Sequence, residues 1–155
     1  SCRSKRWTKP SHVLSRKNTH AMIGIDTNVL VRVIVADDPG QAAVARDVIR
    51  DRCTPDDPGF VSNLVLAELA WILAQSYGYS RIEIADAIEK IMETVQLQVE
   101  SPTDVASALA DYRAGPAGFS DCLIGHINHT AECSHTVTFD RKAARLPGFK
   151  LLTSA

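Results

Sequence analysis

The sequence predicts an α/β fold: a central parallel sheet covered by helices on both faces. Short apolar runs of strand length alternate along the chain with longer stretches of helical periodicity, the pattern of strands joined by helical crossovers. The 155 residues suit one domain with one core. Apolar residues make up 45% of them, enough to bury a core rather than stay disordered.

The elements follow in order. Met22–Ile25 is an apolar run ending at Asp26 and predicts a buried strand. Thr27 or Asn28 can cap a helix reaching Ala36. Asp37-Asp38-Pro39-Gly40 predicts a turn. Gln41 to Arg52 predicts a helix with Val44, Val48 and Ile49 on one face. The breaker at 55–59 precedes a short strand, Phe60-Val61. Ser62 or Asn63 caps a helix to Tyr77, with Leu66, Leu69, Ala70 and Leu73 at helical spacing, and Gly78 stops it. Ser80-Arg81-Ile82-Glu83 has capping-box form and opens a helix to Thr94. Leu97–Val99 predicts a strand, and Ser101 or Thr103 caps a helix to Arg113. After the loop Gly115–Gly118, Phe119 to Ala131 predicts a helix. Thr136–Phe139 predicts a strand, Arg141 to Leu146 a short helix and Lys150–Leu152 a last strand.

The formal charge of −1 hides an asymmetry. Residues 1–20 carry six basic residues and no acid, whereas the rest holds 11 basic and 18 acidic residues. Residues 1–21 are read as a basic extension, expression-derived or translated from upstream, with a natural start at Met22 and the domain over 22–155. The functional alternative for this segment is an RNA-attracting arm. A net acidic domain is unusual for a nucleic-acid binder, and cations or a local basic patch must then offset the charge. Cys2, Cys53, Cys122 and Cys133 show no Cys-x-x-Cys spacing, which reads as free thiols in a reducing cytoplasm. No apolar run approaches the roughly 20 residues that span a bilayer.

Four acids fall at special places. Asp26 follows the first strand and Asp140 follows the strand Thr136–Phe139. Glu68 lies in the second turn of its helix, and Asp121 in the first turn of its own. Ligands of open parallel sheets bind outside the carboxyl ends of the strands, so the four positions can converge. Two carboxylates about 4 Å apart repel by roughly 4 kcal/mol at an effective dielectric near 20. Protonation or bound divalent cations relieve that, and oxygen donors suit Mg²⁺ or Mn²⁺. Metal-assisted phosphodiester hydrolysis uses such clusters. The alternative is plain: helix N-termini favour acids through the dipole alone.

Four segments carry a resemblance. They are Ile25-Asp26-Thr27-Asn28-Val29-Leu30, Ser62-Asn63-Leu64-Val65-Leu66-Ala67-Glu68-Leu69, Phe119-Ser120-Asp121-Cys122-Leu123-Ile124 and Thr138-Phe139-Asp140-Arg141-Lys142. In order, spacing and strand–helix context the chain from Met22 to Leu152 resembles the PIN domain, and within it the VapC-type toxins of bacterial toxin–antitoxin pairs. The resemblance implies a three-layer α/β/α sandwich, Mg²⁺- or Mn²⁺-dependent endoribonuclease activity, and inhibition by an antitoxin whose tail covers the acidic site. It implies that Asp26, Glu68, Asp121 and Asp140 form the catalytic quartet. Asp26 and Asp121 are the firmest metal ligands, Asp140 shares the ion, and Glu68 acts through water. Asn28, Ser62 and Thr138 are hydrogen-bonding supports.

Other groups have two readings each. Arg141, Lys142 and Arg145 contact RNA phosphates or form a solvated face. Arg32 is a lesser candidate for the cleft. Cys122, His126, His129 and Cys133 share a helix and span roughly 16 Å at 1.5 Å per residue, too far for all four to close around one ion, with a two-ligand site helped from elsewhere as the alternative. They read as a solvent- or interface-facing stripe opposite Leu123, Ile124, Ile127 and Ala131. Trp71, Tyr77 and Tyr79 are candidates for stacking bases, and Trp71 and Tyr77 alternatively pack in the core or at the contact of a homodimer. Two rival functions are a non-catalytic binding module and a phosphatase of the haloacid-dehalogenase type. The latter wants a second Asp where Asn28 stands.

Overall fold

Among the described residues of the computed structural model, every strand pairing is parallel. The structure describes residues 21–154; the basic run of residues 1–20 and Cys2 lie outside them. Strands β1 (Ile23–Gly24), β2 (Gly59–Val61) and β3 (Leu97–Val99) form one sheet in that order, with Gly24 opposite Phe60 and Val61 opposite Val99. Strands β4 (Thr136–Thr138) and β5 (Phe149–Leu151) form a second pair, with Thr138 opposite Leu151. The expected parallel sheet is present, but its hydrogen-bonded ladder is divided in two. A two-residue β1 has few backbone groups to offer beyond those it gives β2.

Parallel neighbours need long crossovers: α1 (Thr27–Val35) and α2 (Pro39–Arg52) join β1 to β2, and α3 (Asn63–Tyr77) and α4 (Arg81–Glu93) join β2 to β3, while α5 (Pro102–Ala114) and α6 (Phe119–Thr130) lead from β3 to β4. Their starts are set by side chains that satisfy free N–H groups. Ser62 Oγ accepts from the Val65 amide at 3.2 Å. Ser80 and Glu83 form the expected capping box, with bonds of 2.7 and 3.2 Å. Gly78 ends α3 at φ 65°, a left-handed conformation that glycine adopts without strain.

Several expected boundaries are corrected. Asp26 itself, not Thr27 or Asn28, caps α1, its Oδ1 accepting from the Thr27 amide at 2.7 Å. The segment read as a turn at 37–40 begins α2: Asp38 caps it and Pro39 opens it, where a missing N–H costs nothing. The buried face of α2 is Ala42 and Ala45, while Val44 is exposed. Of the expected helix 141–146, only a 3₁₀ turn at Ala143–Arg145 forms.

The core lies where α3 meets the sheet and its neighbours. Leu66, Leu69 and Leu73 of α3 are fully buried, with Val61 of β2, Ile88 of α4 and Val105 of α5. Gly59 marks a close approach within it. A Cβ there would lie 2.9 Å from Ile25 Cγ1 and 3.0 Å from Cys53 Sγ, both in buried residues. Gly59→Ala is expected to destabilise by about 1–3 kcal/mol through overpacking, read as a lower urea midpoint at unchanged slope.

Candidate active site

The parallel sheet puts the carboxyl ends of β1, β2 and β3 along one edge, and Asp26, Ser62 and Glu100 sit just beyond them. Asp26 is exposed and spends Oδ1 on the Thr27 amide. Glu68 is exposed in the second turn of α3, away from the leucines that anchor that helix. Asp121 is half-buried in the first turn of α6. Asp140 lies two residues past the end of β4 and is held from two sides. Its own amide donates to Thr138 Oγ1 at 3.0 Å, and its Oδ1 accepts from the amides of Lys142 at 2.6 Å and Ala143 at 3.1 Å.

Asp121 is the strained member. Burial raises its pKa above the usual carboxylate value, the negative charge of Asp140 raises it further, and the Gly118 backbone N–H pulls it partly back. Asp121 and Asp140 are thus in electrostatic contact although 19 residues apart. Among the described residues, no three His, Cys, Asp or Glu side chains are grouped so as to hold a metal ion. The donors nevertheless fit a hard cation. Mg²⁺ is commonly held by one or two carboxylates, its remaining positions going to water and phosphate. A like-charged pair such as Asp121 and Asp140 is relieved by such an ion. Beside Asp26, the Thr27 hydroxyl is buried with no partner among the described residues, a polar atom left for water.

The supports divide. Thr138 orients the Asp140 backbone, and Ser62 caps the helix that carries Glu68. Asn28 is exposed on α1 with no side-chain hydrogen bond among the described residues. Arg141, Lys142 and Arg145 are exposed just beyond Asp140, with no acidic partner within ion-pair distance among the described residues. Arg32 is not available to the cleft: Asp37 holds it at 2.6 Å and Gln41 at 2.6 Å. Glu100 was not singled out by sequence, although it too follows a strand. Its Oε2 accepts from the Asn63 amide at 2.7 Å and so ties β3 to the start of α3.

Two further expectations change. Trp71 does not pack in the core; it is 63% exposed at the lip of a groove of about 390 Å³ that reaches Asp121. The expected Cys/His stripe is not a single solvent face, and Cys133 lies beyond the end of α6. Cys122 is buried, where burial pushes its thiol up to about 11. His126 Nε2 meets Asp111 at 2.7 Å. Ile124, expected on the opposite apolar stripe, is exposed. Cys53, Cys122 and Cys133 are free thiols. No helix among the described residues is long and apolar enough to cross a membrane.

Compared with known families, residues 23–148 match the model described as PIN domain. No curated protein matches the sequence.

Proposed function

Because the chain belongs to the PIN domain family, generally a nuclease fold, we propose that it is a metal-dependent endoribonuclease that hydrolyses RNA phosphodiester bonds. The observation that carries this reading is the Asp121 carboxylate, half-buried against the charge of Asp140 where α6 begins. The helix start favours an acid there, but the half-burial beside a second carboxylate opposes its charge, and a bound cation offsets that opposition. The catalytic residues are Asp26, Glu68, Asp121 and Asp140. Asp26, Asp121 and Asp140 would hold Mg²⁺ or Mn²⁺, although without the ion no three such side chains are grouped around one point among the described residues. When bound, such an ion supplies an activated water and stabilises the departing oxygen.

The chain's own groups do the rest. The Lys142 and Ala143 amides fix Oδ1 of Asp140 while Thr138 holds its backbone amide, and Oδ2 has no hydrogen bond among the described residues. Glu68, exposed on α3, orients the attacking water. Arg141, Lys142 and Arg145 meet backbone phosphates, the local basic patch that an acidic domain needs. Asn28 and Ser62 support the edge. The four matching segments support a finer identity, the toxin of a type II toxin–antitoxin pair, working in the cytoplasm and silenced by an antitoxin that covers the acids. Leu64 and Trp71, exposed two turns apart on α3, offer a face for a homodimer. The domain spans 22–155, with residues 1–21 an extension to it.

Incubation with structured RNA tests the reading. Cleavage is expected with Mg²⁺ or Mn²⁺, is expected to stop with EDTA, and is expected to return when Mn²⁺ is added in excess. Cleavage that EDTA leaves untouched would overturn the metal mechanism. Release of phosphate from a small monoester, with RNA intact, would point to phosphatase chemistry instead.

A further inference from the structure

One cation near the site is spent in an unexpected way. Arg81 is the first residue of α4, where a positive charge opposes the helix dipole. It meets no carboxylate within ion-pair distance among the described residues. Its Nη2 instead faces three backbone carbonyls, those of Tyr112 at 2.6 Å, Gly115 at 2.6 Å and Ala117 at 2.7 Å. One nitrogen has two N–H groups, so at least one of these bonds is shared. The guanidinium also lies 4.0 Å from the centre of the Tyr112 ring, a cation–π contact. Arg81 thereby closes the loop that joins α5 to α6.

The last of these carbonyls matters most. The Ala117 C=O and the Gly118 N–H belong to one planar peptide unit. Gly118 is the N-cap of α6, and its amide acts on the Asp121 carboxyl. A Cβ on Gly118 would lie 3.4 Å from Asp121 Oδ2, so the carboxylate sits directly against this residue. Arg81 grips one end of the peptide plane, and the other end faces the acid.

We propose that Arg81 is a positioning residue for Asp121, acting through the Ala117–Gly118 peptide to set where that carboxylate stands. The inference rests on the nuclease reading above. Lysine cannot replace the arginine fully, because a single ammonium on a flexible stem lacks the planar face that stacks on Tyr112.

The test uses the full chain with Arg81→Met and Arg81→Lys, each checked by thermal melting. Displacement by about 1 Å in a catalytic constellation can cost about 100-fold. Arg81→Met is expected to lose about that factor in kcat with KM nearly unchanged. Its affinity for Mn²⁺, followed by electron paramagnetic resonance without RNA, is expected to weaken in parallel. Millimolar guanidinium is expected to restore part of kcat in Arg81→Met and none in Asp121→Asn. Arg81→Lys is expected to fall between wild type and Arg81→Met, and it carries the test if the Met variant does not fold. Folded variants with wild-type kcat and Mn²⁺ affinity would overturn the proposal while leaving the nuclease reading intact. A wild-type protein that neither cleaves RNA nor binds Mn²⁺ would overturn both.

Discussion

Asp121→Asn is expected to abolish RNA cleavage and, in metal-free buffer at pH 7, to raise the melting temperature. The two effects share a cause. Asp121 is raised in pKa first by burial and then by the charge of Asp140, so its ionised form is held at a cost to the fold. A carboxyl whose folded pKa lies above its unfolded value stabilises the protein below the unfolded pKa. That contribution is lost as pH rises through the folded pKa. At pH 7 the wild type therefore carries a penalty that Asn lacks, and the difference in melting temperature is expected to shrink as pH falls into the carboxylate range. Activity moves the other way. Loss of a group that merely orients a metal ligand costs about 10–100-fold, so loss of a ligand itself is expected to exceed about 100-fold. Thermal melts across pH, run beside a cleavage assay, check both. A variant both inactive and less stable at pH 7 would mean that Asp121 is a structural acid.

Leu66→Ala is expected to have the largest effect on stability. Leu66 is fully buried on α3, between the sheet and its neighbouring helices. Truncating a buried leucine removes its transfer energy and leaves a cavity, together about 2–5 kcal/mol. Against a typical total of about 5–15 kcal/mol, that is a large share. The same helix provides the control. Trp71, 63% exposed in the single chain, is expected to change stability by less than about 0.5 kcal/mol when made Ala, at protein concentrations too low for the proposed homodimer to form. Urea titration of the two variants measures the contrast. Losses that become equal as protein concentration rises would mean that Trp71 is covered in solution, as a homodimer through α3 requires.

Much of this fold is legible in the sequence because its signals are local. The capping box at Ser80 and Glu83 announces α4, and the leucine spacing of α3 gives its buried face. Where signals are shared between structures, the reading fails. Asp38-Pro39-Gly40 suits a turn and a helix start equally well, and only packing of Ala42 and Ala45 decides for the helix. Val44 looks like core by periodicity, yet the small alanines occupy the contact. Trp71 reads as core by its chemistry but stands at the edge of an open groove.

The site divides along the same line. The four acids could be selected from their places after strands and at helix starts. Their energetic relation could not: the pairing of Asp121 with Asp140 depends on how α6 and β4 approach each other. Arg81 is the extreme case. Its acceptors are backbone carbonyls 31 to 36 residues away, and a backbone carbonyl leaves no mark in a sequence. Glu100 shows the opposite failure, a strand-end acid whose partner is the amide of Asn63 across the edge.

The central claim is that water, activated at an acidic cation site, attacks the RNA phosphate. The ends of the cleaved RNA test it most directly. Products made by the purified protein with Mn²⁺ are expected to carry 5′-phosphate and 3′-hydroxyl ends, as hydrolysis by water requires. Products ending in 2′,3′-cyclic phosphate, the mark of attack by the ribose 2′-hydroxyl, would contradict it.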